Sequence, residues 1–175
     1  MRRFATRLLV SIFVGSVVLL TASAASAQTA APTLPAENKQ VVSANPFLLS
    51  FGVFNVEYER KHKASTTWGA STSMVGFDDA TYKNVAAFYR YYPGGNALSG
   101  LFVGGRGGVH RVSFQSLSAV MYGVGFELGY DWILGKDKNF SIGLGAGATR
   151  LFGGDLDGVS LTYPTLRLVN IGWSF

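Results

Sequence analysis

The sequence predicts an all-β protein, an eight-stranded antiparallel transmembrane β-barrel, and three observations carry that expectation. The first is alternation. Between Ser118 and Ile133 the even positions Val120, Tyr122, Val124, Phe126, Leu128, Tyr130 and Trp132 are apolar or aromatic. The odd positions Ala119, Met121, Gly123, Gly125, Glu127, Gly129 and Asp131 are mostly small or acidic. A period of two is the signature of a strand with two different faces. Between Asn139 and Phe152 the pattern recurs, Phe140, Ile142, Leu144, Ala146 and Ala148 facing one way and Ser141, Gly143, Gly145, Gly147 and Thr149 the other. A soluble sheet turns its large residues into a core; the small face here has too little volume to fill one but suits the interior of a narrow barrel. The second observation is the final run, Val169-Asn170-Ile171-Gly172-Trp173-Ser174-Phe175, apolar at alternate positions and ending on an aromatic. Barrel strands carry an apolar outer band that ends at aromatic girdles. The third is an N-terminal secretory pattern. A β-sandwich is the alternative that the alternation alone leaves open.

The secretory pattern has three parts. Arg2, Arg3 and Arg7 form a basic head, Leu8 to Leu20 an uncharged apolar stretch, and Ala25-Ser26-Ala27 a small-x-small cleavage site. The apolar stretch is short for a span of ~20 residues, so cleavage after Ala27 is expected rather than retention as an anchor. Residues 28–38, rich in Pro and Ala, are expected to be a disordered leader, and residues 39–175 the barrel domain. Of the 15 Lys and Arg, three lie in the secretory segment, leaving twelve against 10 Asp and Glu. The basicity is thus largely a targeting device and gives no support for nucleic-acid binding. The chain has no cysteine, which excludes disulfides and thiolate metal sites. Twenty-two glycines with 14% aromatic and only 14% charged residues suit tightly curved strands whose ends sit at membrane interfaces.

Each strand follows from a run between turn signals. Counting back from Phe175, the eighth covers about Leu161 to Phe175, preceded by Gly153-Gly154-Asp155 and Asp157-Gly158. The seventh covers Asn139 to Phe152 after Gly135-Lys136-Asp137-Lys138, the sixth Ser118 to Ile133, and the fifth Gly100 to Phe114 after Pro93-Gly94-Gly95-Asn96. The fourth covers Tyr82 to Tyr92 after Phe77-Asp78-Asp79-Ala80, and the third Thr66 to Phe77 after Arg60-Lys61-His62-Lys63. The stretch from Gln40 to Arg60 is too long for one strand, and bacterial single-chain barrels have even strand numbers. It splits into a first strand, Lys39 to Leu49, a turn near Ser50-Phe51-Gly52, and a second strand, Phe54 to Lys61. Asn45-Pro46 sits awkwardly in the first, because proline cannot donate to a ladder.

Alternation places Glu57, Arg90, Arg106, His110, Glu127 and Asp131 on the inward face. Glu57, Arg90, Arg106, Glu127 and Asp131 are expected to form a charge network that fills the lumen, since buried charges need partners and a guanidinium engages carboxylates through its fork. The other reading of the same cluster is a solute path or gate. Arg150 and Arg167 fall on the lipid-facing register and, with Arg111, are expected to meet lipopolysaccharide phosphates, or else to snorkel to the interface. His110 and Ser113 lie three positions apart, on opposite faces of a strand, so no hydrolase pair is expected from them. Two distant histidines without cysteine suggest no metal site. Gly143, Gly145 and Gly147 lie inside a strand and open no helix, which argues against a nucleotide loop. No catalytic residue and no cofactor are expected.

Asn55-Val56-Glu57-Tyr58-Glu59-Arg60, Ala87-Phe88-Tyr89-Arg90-Tyr91-Tyr92-Pro93 and the Phe175 ending, with the eight-strand pattern, resemble the small bacterial outer-membrane β-barrel family of OmpA-transmembrane, OmpX and OmpW-like proteins. The likeness extends from about Lys39 to Phe175. The terminal Ile171, Trp173 and Phe175 resemble the signal by which the barrel-assembly machinery recognises its clients. The resemblance implies the outer membrane of a Gram-negative bacterium, contact with lipid and lipopolysaccharide, and a monomer. It is specific for fold and location and weak for activity. With the inward charge network, the expectation is a structural or membrane-integrity role with a plugged lumen; a narrow channel or transporter for small or apolar solutes is the alternative, and a lipid-modifying enzyme a more remote one.

Overall fold

A computed structural model of the chain describes residues 39–77, 79–115, 117–155, 158 and 160–175. The expected secretory segment and leader lie outside the described residues. The rest is a closed antiparallel barrel in which every strand pairs with its sequence neighbours and β1 with β8. The strands are β1 (Gln40–Ala44), β2 (Val53–Lys63), β3 (Thr66–Phe77), β4 (Ala80–Tyr91), β5 (Gly100–Phe114), β6 (Leu117–Leu134), β7 (Phe140–Phe152) and β8 (Ser160–Ser174), with one short helix, α1 (Pro46–Leu49), between β1 and β2.

The first strand is shorter than expected. It stops at Ala44, and the segment up to Leu49 turns into α1. The cause is local. Asn45 caps the helix, its Oδ1 accepting from Leu48 N–H at 2.9 Å, and Pro46 takes the first helical position, where its missing N–H costs nothing. Gly52 then closes the turn at φ +74°, a conformation open to glycine.

The two faces divide as the alternation requires. Val85, Val103, Val109, Val124, Phe126 and Leu128 point outward, Phe126 63% exposed. Aromatics mark both ends of this apolar surface: Trp68, Tyr89, Tyr91 and Trp173 towards the chain termini, Phe54, Phe114, Tyr122 and Phe152 towards the other end. Bulk on the inner face is matched by glycine on the neighbouring strand. Phe88 lies opposite Gly69 and Phe102 opposite Gly129. A Cβ at Gly69 would come within 2.7 Å of the Phe88 ring, and one at Gly129 within 2.7 Å of Phe102, closer than packed atoms tolerate.

One irregularity changes the reading of a site residue. Gly143 pairs with Asn170 but Gly145 pairs with Arg167, so β8 carries one residue more than β7 between these rungs. This is a β-bulge, with Val169 at φ +35°. An extra residue inverts every face upstream of it. Arg167, expected on the lipid-facing register with Val169, Ile171 and Trp173, therefore points inward.

The mouth of the barrel nearest the termini is sealed by its own loop. The segment from Tyr92 to Ser99 is tied to the β2–β3 turn, Tyr92 N–H bonding to Ser65 O at 2.8 Å and Ala97 N–H to Ala64 O at 2.7 Å. Leu98 packs with Val41 of β1 and Ile133 of β6, strands that are not neighbours, so the loop reaches across the opening. Ala97 packs with Tyr92 and Phe102 beside it.

Candidate functional site

Above this apolar floor lies a network of charged side chains drawn from five strands. Arg90 of β4 is its centre, with no exposed surface. Its guanidinium donates to both oxygens of Glu57, at 2.9 and 3.0 Å, to Glu59 and, through Nε, to Glu127. The rings of Phe88 and Phe102 flank it, their centroids 4.0 and 4.5 Å from Cζ, a cation–π arrangement that keeps water from its faces. Arg167 of β8 donates to Glu57 at 3.1 Å and to Asp131. Each of these groups sits inside because its strand alternates, and each finds its partner because closure of the barrel brings β2, β4, β6 and β8 around one axis.

The expected network residues Glu57, Arg90, Glu127 and Asp131 are thus brought together. Arg106 joins at the edge, its Nη1 3.6 Å from Glu127 and its Nη2 donating to Ser71 Oγ at 3.0 Å. Two members, Glu59 and Tyr92, went unnoticed in the sequence. Each stands two residues from a residue already placed inside, Glu59 from Glu57 and Tyr92 from Arg90, so the period of two was the available signal. The Tyr92 hydroxyl lies 2.7 Å from Glu59 Oε1 and 3.0 Å from Asp131 Oδ2; carrying one proton, it serves one of them at a time. Among the described residues this interior cluster holds four carboxylates (Glu57, Glu59, Glu127, Asp131) and three guanidiniums (Arg90, Arg106, Arg167).

Of the three arginines expected to face lipid, Arg111 and Arg150 do lie exposed on the outer surface, near the end opposite the termini. Arg111 stands directly opposite Lys83 across the β4–β5 pairing. Arg167 is the correction: the bulge takes it off the surface, and its charge is spent on Glu57 and Asp131.

Beyond the network the interior opens into a cavity of about 210 Å³. Asn55, Ser73, Asn84 and Arg106 line it, with Tyr82 and Tyr163. The Tyr82 hydroxyl meets His110 Nδ1 at 2.7 Å and the Tyr163 hydroxyl at 3.0 Å, and accepts from Asn84 Nδ2 at 2.9 Å. His110 is buried, and Ser113 turns instead to Ser118, 3.1 Å away. The His–Ser separation read from the strand period is therefore what the structure has. Among the described residues no group of His, Asp and Glu side chains is arranged to hold a metal ion.

No protein-family model matches this chain, and no curated protein matches it. Among solved structures it is similar to the Yersinia pestis outer membrane protein Ail, a backbone structure in a phospholipid bilayer nanodisc, with 14% identity and a TM-score of 0.45 over 79% of this chain and 100% of that one.

Proposed function

We propose that this chain is an integral outer-membrane β-barrel protein with a structural or membrane-integrity role and a lumen plugged by its own side chains. The observation that carries the reading is the inversion of polarity. A continuous apolar surface faces outward, and the charged network sits inside, its carboxylates and guanidiniums set against one another. In water this would leave large apolar side chains exposed without gain. In lipid it is the arrangement that pairs the strands around the ring while presenting hydrocarbon to hydrocarbon. The buried Arg90 network and the loop carrying Leu98 lie across the axis in series, which supports a plug rather than a channel.

The test is planar-bilayer conductance of the refolded chain. A plug predicts no steady current; steady current that changes on Arg90→Gln or Arg106→Gln substitution would favour the narrow channel instead. The second half of the proposal is lipopolysaccharide contact through Arg111 and Arg150, supported by their exposure on the outward face near one end. Replacing both by Gln should lower the lipopolysaccharide that co-purifies with the barrel, and unchanged retention would refute the contact.

A further inference from the structure

The wall of the barrel is incomplete on one side. β1 has only five residues and pairs with β8 from Ile171 to Ser174 alone. From Ser160 to Asn170, β8 has no strand partner on that flank. β2 likewise runs on past the end of β1, from Asn55 to Val53. α1 sits in the interval and touches both strands. Pro164 lies in the unpartnered stretch, where a residue that cannot donate is tolerated. Counting up from Phe175 at ~3.3 Å per residue and the usual tilt, the gap begins roughly 10 Å into an apolar band ~25 Å tall. Unpaired strand edges do not stand bare in hydrocarbon; they line a cavity or are covered.

The cavity above the ion network ends in this gap. Its lining includes Arg106, which points inward, and also Leu166 on the outer face, with Pro164, Leu48 of α1 and Val53 at the rim. A space bounded by both an interior arginine and an outward leucine passes through the wall. Its two ends differ in chemistry. The rim is aliphatic. At the inner end Arg106 has one hydrogen bond to protein, from Nη2 to Ser71, and stands 3.6 Å from a Glu127 carboxylate that Arg90 already engages. Glu57 also borders the cavity, but Arg90 and Arg167 hold it. Arg106 is therefore the guanidinium with donors to spare. The volume, equal to ~7 water molecules, admits one short chain and excludes a two-chain lipid.

We propose that the gap between β2 and β8 is a lateral portal. Through it a single-chain amphiphile with an anionic head, of the fatty-acid class, enters from the membrane, sets its head on Arg106 and leaves its chain between α1 and β8. The inference rests on the membrane reading above and adds a ligand site to it.

The test uses the full chain refolded in phosphatidylcholine bilayers and a decanoate carrying a photoreactive diazirine, with labelled peptides identified by mass spectrometry. Labelling is expected within residues 46–54 and 160–170, competed by decanoate and not by decanol. Loss of a charge-assisted hydrogen bond in Arg106→Gln should lower it about tenfold or more. Leu166→Trp, which narrows the rim and leaves Arg106 intact, should lower it too. Labelling spread over outward residues such as Phe126, and indifferent to Arg106→Gln, would overturn the portal. A chain that inserts but takes no label in 46–54 or 160–170 sinks the portal alone; a chain that stays in solution without entering bilayers removes the membrane reading and the portal with it.

Discussion

The two halves of this barrel are built on different principles. In the half nearest the termini all eight strands are paired around the ring, the loop carrying Ala97 and Leu98 closes the mouth, and Arg90 makes four hydrogen bonds to buried carboxylates. In the other half β1 is missing from the wall, α1 stands in its place, and the interior holds a cavity in which Arg106 keeps unused donors. The contrast separates two uses of charge inside a barrel. Near the termini charge is structural: it replaces the core that a narrow lumen cannot pack with hydrocarbon. Towards the other end charge is left available, and the wall beside it is left open. A substitution should therefore act mainly on stability in the first half and mainly on binding in the second.

The largest effect is expected at the centre of the network. Arg90→Ala leaves Glu57, Glu59 and Glu127 buried without their cation and should cost about 3–5 kcal/mol, or prevent refolding, as read by urea unfolding in liposomes. The same change at Arg106 should cost much less, because that guanidinium holds only one protein hydrogen bond. Equal losses at the two positions would erase the distinction between the halves.

Arg167→Ala comes next. It strips Asp131 of its cation and Glu57 of one of its two, a broken buried pair that should cost about 3 kcal/mol; deleting the bulge residue Val169 should cost less, because Arg167 stays opposite Gly145 on the inward face. Gly129→Val follows, since its Cβ would press on Phe102 and through it on Arg90; overpacking of this kind costs about 1–3 kcal/mol. Within the carboxylates the order should be Glu57→Gln above Glu59→Gln. Glu57 serves two arginines, whereas Glu59 belongs to a cluster with one carboxylate in excess, and a glutamine there brings its own N–H donors to the Tyr92 contact. The smallest effect has the opposite sign. Val169→Gly relieves a β-branched residue from positive φ and should stabilise by about 1 kcal/mol, measured by the same unfolding.

Much of this was legible in the sequence. The alternation from Val120 to Trp132 identified strand and face together, because a period of two fixes both at once. It also placed Glu57, Arg90, Glu127 and Asp131 inside. It failed where a single residue breaks the count. Nothing in Leu168-Val169-Asn170 announces a bulge, since valine is a poor residue for positive φ and the usual glycine is absent. Arg167 was misplaced for that reason alone. The end of β1 was half legible: Asn45-Pro46 is a helix start by its cap and its first-turn proline, and a proline that fits a strand badly was the sign. Phe88, Tyr92 and Phe102 went unnoticed because bulk was read as outward. The structure shows how the two phenylalanines fit, each standing opposite a glycine on the next strand, and Gly69 and Gly129 were there to be matched once the register was known.

β8 is the deciding strand, because its bulge sends Arg167 inward while Leu166 and Leu168 beside it face outward. A cysteine scan from Leu161 to Phe175, clean because the natural chain has none, would carry a spin label at each position in bilayers and read its collisions with lipid-soluble oxygen. The structure predicts high oxygen contact at 166, 168, 173 and 175 and low contact at 165, 167 and 170, with the alternation slipping by one residue at 169. An unbroken alternation through the whole strand, with position 167 as open to lipid as position 173, would contradict it.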